Sequence, residues 1–138
     1  MTQASLGAWL LKADPTRAPM AQWRRTGFAS VTSRCVRATY RAELVREGQP
    51  VLLWISGQDV EHPAGIHAAG RTTGPVVEDD DGPAMQLALS AVDPVVLRSD
   101  LLAEPDLSRL EVIRMPAGSN PSFVTVEEFA IIRHLGAW

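Results

Sequence analysis

Trp54 and Ser56 sit two residues apart in the run Val51-Leu52-Leu53-Trp54-Ile55-Ser56 and are the pair best suited to holding a flat heterocycle. An indole offers a stacking plane, and a small hydroxyl offers a hydrogen bond to a ring edge. The same run also reads as a strand with both faces in the core, Trp54 simply filling one of them. Lys12 ends the apolar stretch Ala8–Leu11 and shares a strand face with Leu10 and Asp14. Its ammonium either snorkels to solvent or guards the mouth of a pocket. Cys35, flanked by Arg34 and Arg37, reads either as a thiol activated by positive charge or as an inert one.

The arginines offer a further chemistry. Residues 1–46 hold eight basic side chains against two acidic ones, a net +6, whereas the remainder holds five basic and fourteen acidic residues, a net −9. With −3 overall, the protein's general field disfavours polyanions, but a local arginine cluster can still hold a few phosphates. The alternative is a set of solvated arginines spread over several faces.

Much other chemistry has no sequence support. The chain has no G-x-x-x-x-G-K-[ST], G-x-G-x-x-G or G-x-S-x-G motif. His62 and His67 lack metal-site spacing and cysteine partners, so no metal or other cofactor is expected. The acidic run Glu78–Asp81 lacks the spacing of a calcium loop and reads as a solvated turn. A single cysteine excludes an intramolecular disulfide and fits a reducing compartment. With no apolar run near the ~20 residues of a membrane helix, and no basic, apolar leader over Met1–Ala8, the expected location is the cytoplasm, with no membrane partner.

The elements that must position these groups follow from patterning. At 138 residues and 46% hydrophobic composition the chain suits one domain, 1–138, with its own core. Ala8–Lys12 reads as a strand stopped at Asp14-Pro15. Residues 16–29 hold one short helix that turns Met20 and Trp23 inward. Ser30–Thr39 reads as irregular, and Thr39 caps a helix through Glu47, ended by Gly48. Val51–Ile55 is the central strand, and Gln58–Pro63 a loop. Ala64–Val77 reads as one long strand whose Gly65 and Gly70 admit the close approach of another backbone. Met85–Leu97 is a strand pair or a bent strand broken at Asp93-Pro94. Ser99 or Asp100 opens a short helix through Ala103, and Leu107, Leu110, Val112 and Ile113 pack the segment after it. Pro116–Pro121 is a loop, and Thr125 with Glu128 forms the capping box of a last helix, whose stripe is Val126, Phe129, Ile132 and Leu135. The class is α+β: five or six mostly antiparallel strands in a mixed sheet, with peripheral helices. The strands cluster without a helix after each, which favours closure into a small barrel.

Taken in order, these pieces resemble the EVE domains, which belong to the PUA-like superfold with the YTH, ASCH and PUA domains. The resemblance lies in Trp9-Leu10-Leu11-Lys12-Ala13-Asp14-Pro15, Val36-Arg37 with Tyr40-Arg41, Leu53-Trp54-Ile55-Ser56 and Pro63-Ala64-Gly65-Ile66. It continues in Arg114-Met115-Pro116, Ser119-Asn120-Pro121 and Thr125-Val126-Glu127-Glu128. It implies a pseudo-barrel that accepts a modified cytosine or adenine from DNA or RNA. On this likeness Trp54 is a wall of the base pocket, Ser56 an edge contact, and Lys12, Ala13 and Asp14 the opposite rim. Cys35, Val36, Arg37 and Tyr40 border the pocket, and Arg34, Arg37 and Arg41 hold phosphates. No catalytic residue is implied. Two alternatives stand beside it: a pocket for a free small molecule or a protein partner, and an ASCH-like amidohydrolase using Lys12 with a nearby acid or Tyr40. The oligomeric state stays open.

Overall fold

A computed structural model describes residues 2–57 and 60–138. The first two residues of the loop expected at Gln58–Pro63 lie outside the described residues. The strands are β1 (Leu6–Ala13), β2 (Ser33–Cys35), β3 (Pro50–Ile55), β4 (Gly65–Thr72), β5 (Val77–Asp79), β6 (Gly82–Leu97) and β7 (Ser122–Thr125). The helices are α1 (Met20–Arg25), α2 (Arg98–Leu102), α3 (Glu111–Arg114) and α4 (Val126–Gly136), with 3₁₀ turns at Tyr40–Leu44 and Pro105–Leu107. They build one curled sheet in the order β2-β6-β4-β3-β1-β7, with β5 also paired to β6. Among the described residues only the β1–β3 pair is parallel.

Side-chain alternation sorts the central strands into two cores. Trp9, Leu11 and Ala13 of β1 and Val51, Leu53 and Ile55 of β3 point into the curl with Met85, Leu87, Leu89 and Phe123. One end of this interior is closed by Met20, Trp23 and Phe28, delivered by α1 and the turn after it. Ala8, Leu10, Leu52 and Trp54 point outward, where α2, the Pro105–Leu107 turn and α4 cover them with Leu101, Leu107 and Ile132. Both faces of β1 and β3 are therefore dry, which is why these two strands read as continuous apolar runs. Helix α4 starts at the expected box: Thr125 Oγ1 accepts from Glu128 N–H (3.1 Å) and the Glu128 carboxylate from Thr125 N–H (2.9 Å). Val126, however, lies at the first helical turn on the solvent side and is exposed; the buried stripe starts at Phe129.

Several expected boundaries shift. The segment expected to be irregular contains β2, and the strand expected over Ala64–Val77 is two, β4 and the three-residue β5, so seven strands replace five or six. Three-residue strands with exposed or half-buried side chains carry too little alternation to be read from sequence. The helix expected from Thr39 to Glu47 is only a 3₁₀ turn, although Thr39 does cap it by accepting from Arg41 N–H. Strand β6 runs unbroken through Asp93-Pro94; its pairing to β4 jumps from Ala68↔Ala91 to Ile66↔Val96, so the proline sits in an irregularity of the ladder. Gly65 and Gly70 stand where an added Cβ would strike the carbonyls of Val96 and Ala88, the close approach their positions suggested.

The curl closes at one end. Beyond β2, Val36 N–H donates to Pro83 O (3.0 Å) and Arg37 N–H to Asn120 O (2.9 Å), which ties the end of β2 to the segment leading into β7.

Candidate functional site

Where the parallel strands β1 and β3 end, the chain leaves a depression of about 450 Å³ lined by Lys12, Ala13, Asp14, Arg17, Ser56 and the loop Pro116–Asn120. Ser56 N–H donates to Ala13 O (3.0 Å), carrying the ladder one residue past β3 and setting the two strand ends side by side. Asn120 holds the other wall: its Oδ1 accepts from Lys12 N–H (2.8 Å) and its Nδ2 donates to Lys12 O (3.1 Å). A side-chain amide thus stands in for a neighbouring strand at Lys12. Lys12 Nζ donates to the carbonyls of Met115 (3.3 Å), Pro116 (3.3 Å) and Gly118 (2.7 Å), so the ammonium fastens the loop rather than reaching into the depression. Burial pulls its pKa below the usual value against the opposing charge of Glu111.

Asp14 Oδ1 accepts from the hydroxyl (2.7 Å) and the N–H (2.9 Å) of Thr16, a local turn that fixes the carboxylate and lowers its pKa. Asp14 is therefore an exposed, acceptor-only group at the rim. The depression presents this acceptor, the hydroxyls of Ser56 and Ser119 and the guanidinium of Arg17; among the described residues its lining contains no aromatic ring.

Trp54 is placed elsewhere. It is 4% exposed and packs among Leu10, Leu52, Ile66 and Val96 on the outward side of β3. Ser56 lies beyond the last paired residue of that strand, so the two do not share a working surface. The helices need an apolar layer beneath them, and the large indole fills it.

A second depression, about 490 Å³, opens on the far side of residues 118–120 and is lined by Arg37, Tyr40, Arg41, Glu111, Met115 and Ser119 among others. Gly118, Ser119 and Asn120 line both, forming a ridge between them. Arg41 makes a two-pronged ion pair with Glu111 (Nη1–Oε1 2.7 Å, Nη2–Oε2 2.8 Å) and donates to Pro121 O (3.0 Å). Glu111 Oε1 also accepts from Phe123 N–H (2.8 Å), which pins α3 to β7. Burial pushes the Glu111 pKa up, but the bonds from Arg41 and Phe123 and the nearby guanidinium charges hold it below the usual carboxylate value. The same hydrogen bond to Glu111 raises the pKa of Arg41. Arg41 is thus neutralised within the fold. Arg37 is exposed and donates to Ser119 Oγ (3.3 Å) on the ridge.

The residues expected to form one pocket therefore divide. Lys12, Ala13, Asp14 and Ser56 meet in the first depression, whereas Arg37, Tyr40 and Arg41 meet in the second. Val36 points into the barrel, and Cys35 is exposed on β2. Arg34 turns back onto the fold: its guanidinium lies 5.4 Å from the Trp23 ring centroid and donates to Lys12 O (3.3 Å). Its Nε is buried without a partner among the described residues, and burial lowers the pKa of the guanidinium. Sequence reasoning missed Arg17, Glu111 and Met115 as lining residues, and the role of Asn120 as a clamp. The Ser119-Asn120-Pro121 motif carried a signal for the last; nothing in the sequence pairs Glu111 with Arg41, seventy positions away.

No family model and no curated protein matches the chain. Solved structures do. A Rhodopseudomonas palustris protein superposes with a TM-score of 0.73 at 17% identity, covering 96% of this chain and 94% of that one. A Leishmania major protein gives 0.72 at 16% identity, covering 96% and 95%. The human THYN1 protein, solved in complex with DNA containing 5-methylcytosine, gives 0.67 at 11% identity, covering 95% and 98%. The fold is a PUA-like α+β half-barrel, matched over 95–96% of the chain.

Proposed function

We propose that the protein is an EVE-type, non-catalytic module that holds a modified nucleobase of DNA or RNA in the depression at the ends of β1 and β3. The observation that carries this reading is the convergence of three distant stretches, Lys12–Asp14, Ser56 and Ser119–Asn120, on one depression of pyrimidine-accommodating volume. These are the stretches on which the family likeness rests. Asp14, kept ionised by Thr16, accepts from the exocyclic amine at C4 of cytosine or C6 of adenine, where the keto bases carry a carbonyl. The human neighbour solved with 5-methylcytosine DNA is consistent with this ligand class. In the absence of an aromatic wall, the base packs against the backbone of Pro116–Gly118. The catalytic alternative draws no support from the geometry, since Lys12 Nζ is tied to three carbonyls and Tyr40 lies across the ridge.

The test is fluorescence anisotropy with labelled oligonucleotides carrying cytosine, 5-methylcytosine, 5-hydroxymethylcytosine or N6-methyladenine, at two salt concentrations. One modified base should bind at least tenfold more tightly, and that preference should vanish in Ser56→Phe, which fills the depression, and in Asp14→Asn. With few guanidinium groups available, the salt dependence should be shallow, about 0.7 per phosphate held on a single strand. Equal affinity for all four bases, or a preference untouched by both variants, would overturn the reading.

A further inference from the structure

We infer that the second depression is a subsite for the nucleotide adjacent to the held base, so that the protein reads a two-nucleotide step of one strand rather than an isolated base. This rests on the base-pocket reading above. Three observations lead to it. The two depressions share the ridge Gly118–Asn120, so a chain leaving the first over that ridge enters the second. The second depression carries what the first lacks, a large exposed aromatic: Tyr40 is 59% exposed, and Met115, also exposed, lines the same hollow. Every base has a π-face, so a tyrosine ring accepts the neighbour with little regard to its identity.

The charge balance fits the same occupant. Arg41 is cancelled by Glu111, which leaves Arg37 without a carboxylate partner among the described residues and already oriented onto the ridge by Ser119. One guanidinium at the crossing point matches the single negative charge of the phosphodiester that joins two nucleotides. Arg41 is spent on Glu111 and on Pro121 O, so it is held within the fold rather than offered to a phosphate.

The experiment measures, by isothermal titration, the modified nucleoside, both dinucleotides that place a neighbour 5′ or 3′ of it, and the same dinucleotides with an abasic neighbour, in DNA and RNA forms. For one polarity the dinucleotide should bind about tenfold more tightly than the nucleoside. That gain should disappear with the abasic neighbour and in Tyr40→Ala, and Arg37→Gln should reduce both the gain and its salt dependence. Because Tyr40 is exposed, its replacement leaves the core intact; unchanged thermal unfolding confirms this. A gain that survives Tyr40→Ala, or no gain in either polarity, overturns the second subsite while leaving the base pocket standing. Failure of the wild-type protein to bind any nucleoside or dinucleotide overturns the base-pocket reading, and this subsite with it.

Discussion

Replacing Asn120 tests whether the site is built as described. Its amide makes two hydrogen bonds to the backbone of Lys12, at 2.8 and 3.1 Å, in a half-buried position between β1 and the 116–121 loop. In Asn120→Ala both are lost. Each is worth about 1 kcal/mol net, and the stranded Lys12 N–H adds a desolvation penalty of about 1 kcal/mol, whereas Lys12 O keeps its bond from Arg34. The expected loss is about 2–3 kcal/mol, or roughly 6–12 °C in Tm for a domain of this size. Asn120→Asp separates the two bonds: it keeps an acceptor for Lys12 N–H but sets an oxygen against Lys12 O, so it should destabilise by about half as much at neutral pH. Urea melts of the three proteins give the free energies, and amide hydrogen exchange at Lys12 reports the bond directly. If Asn120→Ala melts within 2 °C of the wild type, or Lys12 N–H stays equally protected, the clamp is not what holds this rim.

Trp54 should behave as a core residue: Trp54→Ala is expected to cost about 3–5 kcal/mol in urea unfolding, and Trp54→Phe should restore most of that stability. A loss below 1 kcal/mol accompanied by loss of base binding would return Trp54 to the pocket. His67 supplies a pH dependence. It is 2% exposed, its Nε2–H donates to Pro63 O (2.7 Å), and its Nδ1 accepts from Arg24 (3.4 Å), so it is buried as the neutral ring. Burial, with the charges of Arg24 and His62, lowers its pKa from 6.5 despite the bond to Pro63. The unfolded chain then binds the proton that the folded one refuses, so stability falls as pH drops below 6.5 toward the folded pKa. Glu111, whose pKa is also lowered, adds its own loss only below about 4.5, so the two losses begin at different pH. Tm measured from pH 7.5 to 5 should fall, and the slope should flatten in His67→Gln; an identical slope in the variant would clear His67 of the effect.

What the sequence disclosed follows from where the information is local. Strands β1 and β3 were legible because Trp9, Leu11 and Val51, Leu53 alternate with Leu10 and Leu52, Trp54, all of them apolar. That pattern says both faces are buried but not which of them is the barrel interior, and so Trp54 invited a pocket role while its face belonged to the helices. The half of the site at strand ends, Lys12–Asp14 and Ser56, could be picked out because a polar residue closing an apolar run marks a rim. The other half could not: the grip of Asn120 on Lys12 spans 108 positions, and the ion pair that disarms Arg41 spans 70. The family likeness placed Arg34 among phosphate ligands, whereas stacking on Trp23 directs it into the wall.

The closure between β2 and β7 has a consequence for the edges of the sheet. These are the two edges of the sheet, three and four residues long, and unpaired edge groups invite pairing with another chain. Arg37 N–H and Asn120 O occupy each other at the seam, so the residues that frame the two depressions also blunt the edges. The loop that carries Asn120 is therefore constrained twice, by the depressions it frames and by the sheet edges it blunts.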